Sequence, residues 1–166
     1  MKILAIETSG KICAVALQEN NNLIDEIIID DQYTHSVKLM PIIDEILTNN
    51  KINIKDIDLF ACTLGPGSFT GIRIGIATIK GLADALKKEV IGISSLINLA
   101  YNVEDNKYIC PIIDAKNENI YSTLINNKNS NYETVIEEKF SNLREFLNEL
   151  KLINQKIVFI GDGALN

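Results

Sequence analysis

The chain of 166 residues has no tryptophan, a single histidine, three cysteines and three prolines, and aromatic residues make up 6% of it. Each scarcity closes off a kind of chemistry. The one imidazole, His35, lacks the neighbouring ligands that a three- or four-coordinate metal site requires, so no metal centre is expected in this chain. Cys13, Cys62 and Cys110 are odd in number, far apart and set in apolar stretches, which reads as buried reduced thiols and leaves no spacing for a metal or redox pair. Positive charge is short as well: 16 Lys and Arg stand against 22 Asp and Glu, a formal charge of −6, and Lys87-Lys88 is the only adjacent basic pair. A surface that holds RNA by itself needs clustered cations to neutralise phosphates, so any action on RNA is expected to run through a partner. No apolar run approaches the roughly 20 residues of a membrane span. Met1-Lys2 leads straight into a β-branched run with no signal-peptide pattern, and a cytoplasmic protein is expected. Apolar residues, at 46%, suffice for a core.

Periodicity gives the order of elements. Strand patterns run over residues 2–7, 12–18 and 23–29, with Glu19-Asn20-Asn21-Asn22 as a hairpin turn between the last two. A helix over 36–47, a buried strand over 57–63, a helix over 70–88 and a short strand over 90–93 follow. From Lys107 the order restarts, with strands over 108–114, 120–125 and 132–137, a helix over 141–152 and a strand over 156–160. Three paired strands, then helix, strand, helix and strand, match half of an actin-like, ribonuclease-H-like fold. The expectation is an α/β protein of two such lobes, residues 1–100 and 101–166. The second lobe lacks the helix, strand and closing helix that a complete copy would add, so it reads as truncated, with an apolar edge near residues 156–160 left uncovered.

The run Gly65-Pro66-Gly67-Ser68-Phe69-Thr70-Gly71 joins a strand to a helix and is the most distinctive feature. Its glycines and proline force a tight turn with little bulk, and Ser68 or Thr70 can cap the helix. It lacks the Lys-Ser/Thr pair of a P-loop, and Thr70 stands where a dinucleotide fingerprint needs glycine. Gly71, Gly75, Thr78, Leu82 and Ala85 fall on one face of the helix that follows, with Arg73, Lys80, Asp84 and Lys87 opposite. The earlier helix carries Leu39, Met40, Ile42, Ile43, Ile46 and Leu47, more apolar surface than one sheet is expected to cover. Pro41 removes a backbone donor inside that pattern, so a kink, or a helix start near Lys38, is expected.

Gly65 to Gly75 resembles the signature of the TsaB (YeaZ) family of tRNA threonylcarbamoyladenosine biosynthesis. So do Ile3 to Ser9, Thr34-His35-Ser36, Gly92 to Leu96, and Asp114-Ala115-Lys116 leading to Tyr121, all in the family's order. The resemblance implies a non-catalytic subunit that pairs with and activates a catalytic paralogue, TsaD, in placing threonylcarbamoyl on the adenosine at position 37 of tRNA. An ATPase subunit, TsaE, would join the pair, ATP and metal would sit on those partners, and tRNA would be met only in the complex. TsaD places a second histidine four residues after the first, where this chain has Leu39. The resemblance also implies that the two helices of the first lobe make the contact, or pair two copies of this chain. The interface residues expected are Leu39, Met40, Ile43, Leu47, Gly71, Gly75, Thr78 and Leu82, so Gly75→Leu or Ile43→Asp should block pairing and leave the fold intact.

The alternative is an ATP-dependent phosphotransferase of the actin and sugar kinase type. Glu7, Thr8 and Ser9 stand where those enzymes keep a phosphate hairpin, and Asp114 stands at a second acidic position, so these four form a possible vestigial nucleotide site. The hairpin is short of the usual glycine, since Gly10 comes late. Asp114, Lys116 and Glu118 also invite an acid–base reading, but they sit at a turn where solvated charges are ordinary.

Overall fold

In the computed structural model, which describes residues 1–30, 35–103 and 107–165, the N-terminal alternation of apolar and polar residues forms an antiparallel meander. Its strands are β1 (Lys2–Glu7), β2 (Ile12–Glu19) and β3 (Asn22–Asp30). Asn20 and Asn21 make the β2–β3 turn at φ 49° and 69°, the left-handed pair that a two-residue hairpin needs and asparagine tolerates. Then come α1 (His35–Asn49), a 3-10 turn at Ile54–Asp56, β4 (Leu59–Gly65), α2 (Phe69–Leu86) and β5 (Glu89–Ser94). β4 lies parallel to β1, with Ile3 opposite Leu59 and Ile6 opposite Cys62, and the sheet order is β3-β2-β1-β4-β5. A parallel neighbour requires a crossover, which the segment containing α1 supplies.

The core of this unit forms where both helices meet the sheet. Leu39, Ile42, Ile43, Ile46 and Leu47 of α1 and Ile79 and Ala83 of α2 pack with Leu4, Ile6, Val15, Leu17 and Phe60. The sheet side therefore takes up most of the apolar surface of α1, and Val37 and Met40 stay exposed on its outer side, as expected of a helix that is apolar on more than one side. The helix runs from His35, so it does not start late near Lys38, and Pro41 lies in its interior. Proline costs about 3 kcal/mol there. Each large aliphatic side chain buried returns about 1.5–3 kcal/mol, and α1 buries five of them while Pro41 faces outward. The inward stripe of α2 is Gly71, Gly75, Ile79 and Ala83, not the expected set ending at Ala85, which is exposed.

The second unit repeats the plan. It holds α3 (Ser95–Ala100), β6 (Lys107–Asp114), β7 (Asn119–Lys128), β8 (Asn131–Asn142), α4 (Leu143–Lys151), β9 (Ile157–Ile160) and a 3-10 turn at Asp162–Leu165. β6, β7 and β8 pair antiparallel, β9 joins β6 in parallel, and the order is β8-β7-β6-β9. Phe146 and Leu150 of α4 close over Cys110, Ile112, Ile120 and Leu124. β9 is an edge strand on which Phe159 is exposed.

The compact units are Met1–Ile93 and Ser94–Asn166, so the division falls before α3 and not after residue 100. The cause is packing: Ala100 is buried with Ile109 and Ile125 of the second sheet, with Ile97 beside them. α3 itself is an element that the sequence reading missed, although Ser94 caps it by accepting from the N–H groups of Leu96 and Ile97. This is the actin-like, ribonuclease-H-like α/β architecture, with all five strands in the first unit and the first four, β8-β7-β6-β9, in the second.

Candidate functional site

The glycine loop is built onto the β1–β2 turn. β4 ends at Gly65 with φ +98°, the peptide to Pro66 is cis, and Gly67 has φ +152°. A Cβ on Gly67 would stand 2.3 Å from the Ser9 carbonyl oxygen, so only glycine lets the two segments close to this distance. Closed, they bond: the Ser68 N–H donates to that Ser9 oxygen at 2.6 Å. Ser68, not Thr70, is the cap of α2, its Oγ accepting from the Gly71 N–H at 3.2 Å.

A second tie runs through Thr8, whose side chain is 1% exposed. Its hydroxyl donates to the Gly71 carbonyl at 2.9 Å. One turn further along α2, a Cβ on Gly75 would lie 2.4 Å from Thr8 Oγ1 and 3.5 Å from Ile6 Cδ1. Glu7 completes the arrangement: its Oε1 accepts from the Ser9 N–H at 2.5 Å and from the Thr63 hydroxyl at 3.1 Å. Glu7, Thr8 and Ser9 thus bind β1 to β4 and to the first turn of α2. A nucleotide phosphate at this turn would need the Ser9 N–H and the Thr8 hydroxyl for itself, and both are engaged within the unit. The residues present do not fit a phosphate here.

Asp114 belongs to the second unit and ends β6. Its carboxylate accepts from the Lys116 N–H at 2.8 Å and pairs with Lys116 Nζ at 2.9 Å, while its own N–H donates to Asp162 Oδ1 at 3.0 Å. The hydrogen bond and charge of Asp114 raise the Lys116 pKa above its ordinary value. Lys116, Asn117 and Glu118 form the turn itself, all at positive φ, and Glu118 meets Arg144 at 3.6 Å. These charges hold a hairpin together.

The eight expected interface residues are placed mostly inward. Leu39, Ile43, Leu47, Gly71 and Gly75 are buried in their own unit, and Thr78 and Leu82 are half-buried. Of the eight, only Met40 is well exposed, at 48%. Outward, α1 presents Val37 and Met40 with Asp44, and α2 presents Phe69, Arg73, Ala77 and Lys80. Met40, Ile43, Asp44, Leu47, Thr48 and Ile52 line a shallow groove of about 280 Å³. Sequence reasoning passed over the pair at the start of α2, where the Arg73 guanidinium lies 3.6 Å from the centroid of the Phe69 ring. The signal was present as an aromatic and an arginine four residues apart.

His35 opens α1, but Thr34 and the His35 side chain lie outside the described residues. Among the described residues, no three His, Cys, Asp or Glu side chains converge as metal ligands, and no helix is long and apolar enough to cross a membrane. Cys13, Cys62 and Cys110 are buried and unbonded to one another. Desolvation pushes all three thiols up, Cys110 to about 12.

Comparison with known proteins gives these contacts a family. Residues 23–164 match the family profile described as TsaD, tRNA N6-adenosine threonylcarbamoyltransferase. The tRNA threonylcarbamoyladenosine biosynthesis protein TsaB of Bacillus subtilis is 34% identical over 162 residues, spanning 97% of this chain and 71% of that protein. TsaB of Escherichia coli is 37% identical over 100 residues, 60% of this chain and 43% of its own. The crystal structure of YeaZ from Pseudomonas aeruginosa superposes with a TM-score of 0.78 at 27% identity, over 85% of this chain and 67% of that one. The chain belongs to the TsaB family of tRNA threonylcarbamoyladenosine biosynthesis proteins.

Proposed function

We propose that this chain is a non-catalytic subunit of the complex that makes N6-threonylcarbamoyladenosine at position 37 of tRNA. It pairs with and activates the TsaD catalytic subunit, and TsaE joins the pair. ATP and metal are held by those partners, and tRNA is met through them. The observation that carries this reading is the 34% identity to a TsaB protein across 97% of the chain. The net charge of −6 supports the indirect route to tRNA. The outward side of α1 and α2, with the exposed apolar Val37, Met40 and Phe69, is the docking surface.

The test is co-purification of this chain with TsaD and TsaE of the same organism, followed by a tRNA threonylcarbamoylation assay with and without it. Modification should require this chain, and the chain alone should give none. Full modification by the partners without it would overturn the reading. The phosphotransferase alternative would then need magnesium-ATP to bind the chain and turnover to vanish on changing Glu7 or Asp114.

A further inference from the structure

We infer that Arg73, held over the Phe69 ring, is the anchor for a carboxylate of the partner subunit, and that the hydrogen bonds of the glycine loop position this pair for it. The inference rests on the proposed docking role of α1 and α2. Phe69 is 68% exposed, which loses the benefit of burying an aromatic ring, yet the guanidinium covers it at 3.6 Å. Among the described residues no carboxylate meets Arg73. The chain's other arginine, Arg144, does have an acidic neighbour in Glu118.

Stacking leaves the edge N–H groups of a guanidinium pointing outward in a fork that matches a carboxylate. Arginine and aromatic side chains are also the usual energetic centres of protein interfaces. Three hydrogen bonds tie down the turn beneath the pair: the Ser68 N–H to the Ser9 carbonyl, the Gly71 N–H to Ser68 Oγ and the buried Thr8 hydroxyl to the Gly71 carbonyl hold residues before and after Phe69. Ordering done before binding lowers what association must supply. A protein carboxylate is favoured over an RNA phosphate, because the next cation outward on α2 is Lys80, two turns away, and the whole chain is acidic. One isolated cation does not make a phosphate track.

The experiment measures affinity of the full chain for its TsaD partner at low and high salt, with melting temperature recorded for every variant. Arg73→Gln and Phe69→Ala should each weaken binding by about tenfold or more. Arg73→Lys, which keeps the charge but not the fork or the stack, should fail to restore it. The salt dependence of wild-type binding should flatten in Arg73→Gln, and melting temperatures should stay put because both side chains are exposed. Met40→Asp serves as the control for the docking surface. If Met40→Asp weakens binding while Arg73→Gln and Phe69→Ala do not, the anchor is wrong and the docking reading stands. If none of the three has an effect, the docking reading itself fails. Loss of self-association alone, or of tRNA retention by the isolated chain, would assign Arg73 to a second copy or to RNA and overturn the proposal.

Discussion

Thr8 shows how much one hydroxyl decides. It is buried, it donates to the Gly71 carbonyl, and it fills the space that a side chain at Gly75 would need. Thr8→Val keeps the shape and removes the donor, so it should cost about 1 kcal/mol, a fall in melting temperature of roughly 2–4 °C for a chain of this size. Gly75→Ala should cost about 1–3 kcal/mol through overpacking. Combined with Thr8→Ala, which opens the space, it should cost less than the sum of the two single changes. Calorimetry of the four proteins tests this, and strict additivity would show that the two residues do not touch. The thiols give a chemical check. With Cys110 pushed up to about 12, almost none of it is thiolate at pH 8, and Cys13 and Cys62 are raised too. Iodoacetamide should label none of the three in the native protein and all three in denaturant, as read by mass spectrometry. The linked effect on stability has a definite sign. The unfolded thiol ionises near pH 8.5 while the folded one keeps its proton, so stability falls as pH rises from about 8.5 toward about 12.

Helix α1 separates packing from docking. Ile43 is 1% exposed in the core, so Ile43→Asp puts an unpaired carboxylate among aliphatic side chains and should unfold the unit, not merely block pairing. Gly75→Leu fails as a surface probe for the same reason. Met40→Asp, on the outer side, should melt as wild type and lose the partner. Circular dichroism melts run beside pull-downs distinguish the two, and a stable Ile43→Asp would contradict the burial. Pro41→Ala should stabilise the protein by about 1 kcal/mol or more, since it restores a helix donor and its ring is exposed. These corrections mark where sequence stops being readable. Period-2 and period-3.6 patterns located the strands and long helices, because burial of one face writes itself into composition. They did not show which apolar face of α1 meets the sheet, because Met40 and Ile43 look alike until a sheet is placed beside them. The short α3 has too few turns to display a period. The glycine loop was legible as a built turn, but not its engagement by Thr8 and Ser9, which arrive from more than 50 residues away.

Taken whole, the molecule has 22 acidic against 16 basic side chains, and its cations are scattered: Lys2, Lys116, Lys139 and Arg144 each face a carboxylate within 4.0 Å. Such a surface repels a polyanion at low salt, where attraction to phosphates would otherwise be strongest. A protein that gripped tRNA directly would lose affinity steeply with salt, in proportion to the phosphates it neutralised. The isolated chain should therefore give no retarded tRNA band at about 50 mM salt, a condition that favours even non-specific binding. The assembled complex should retard tRNA, with a salt slope that stays the same when Lys80, Lys87 and Lys88 of this chain are changed to glutamine. A slope that fell with each lysine removed would mean that this subunit touches the tRNA itself, and the indirect route would be wrong.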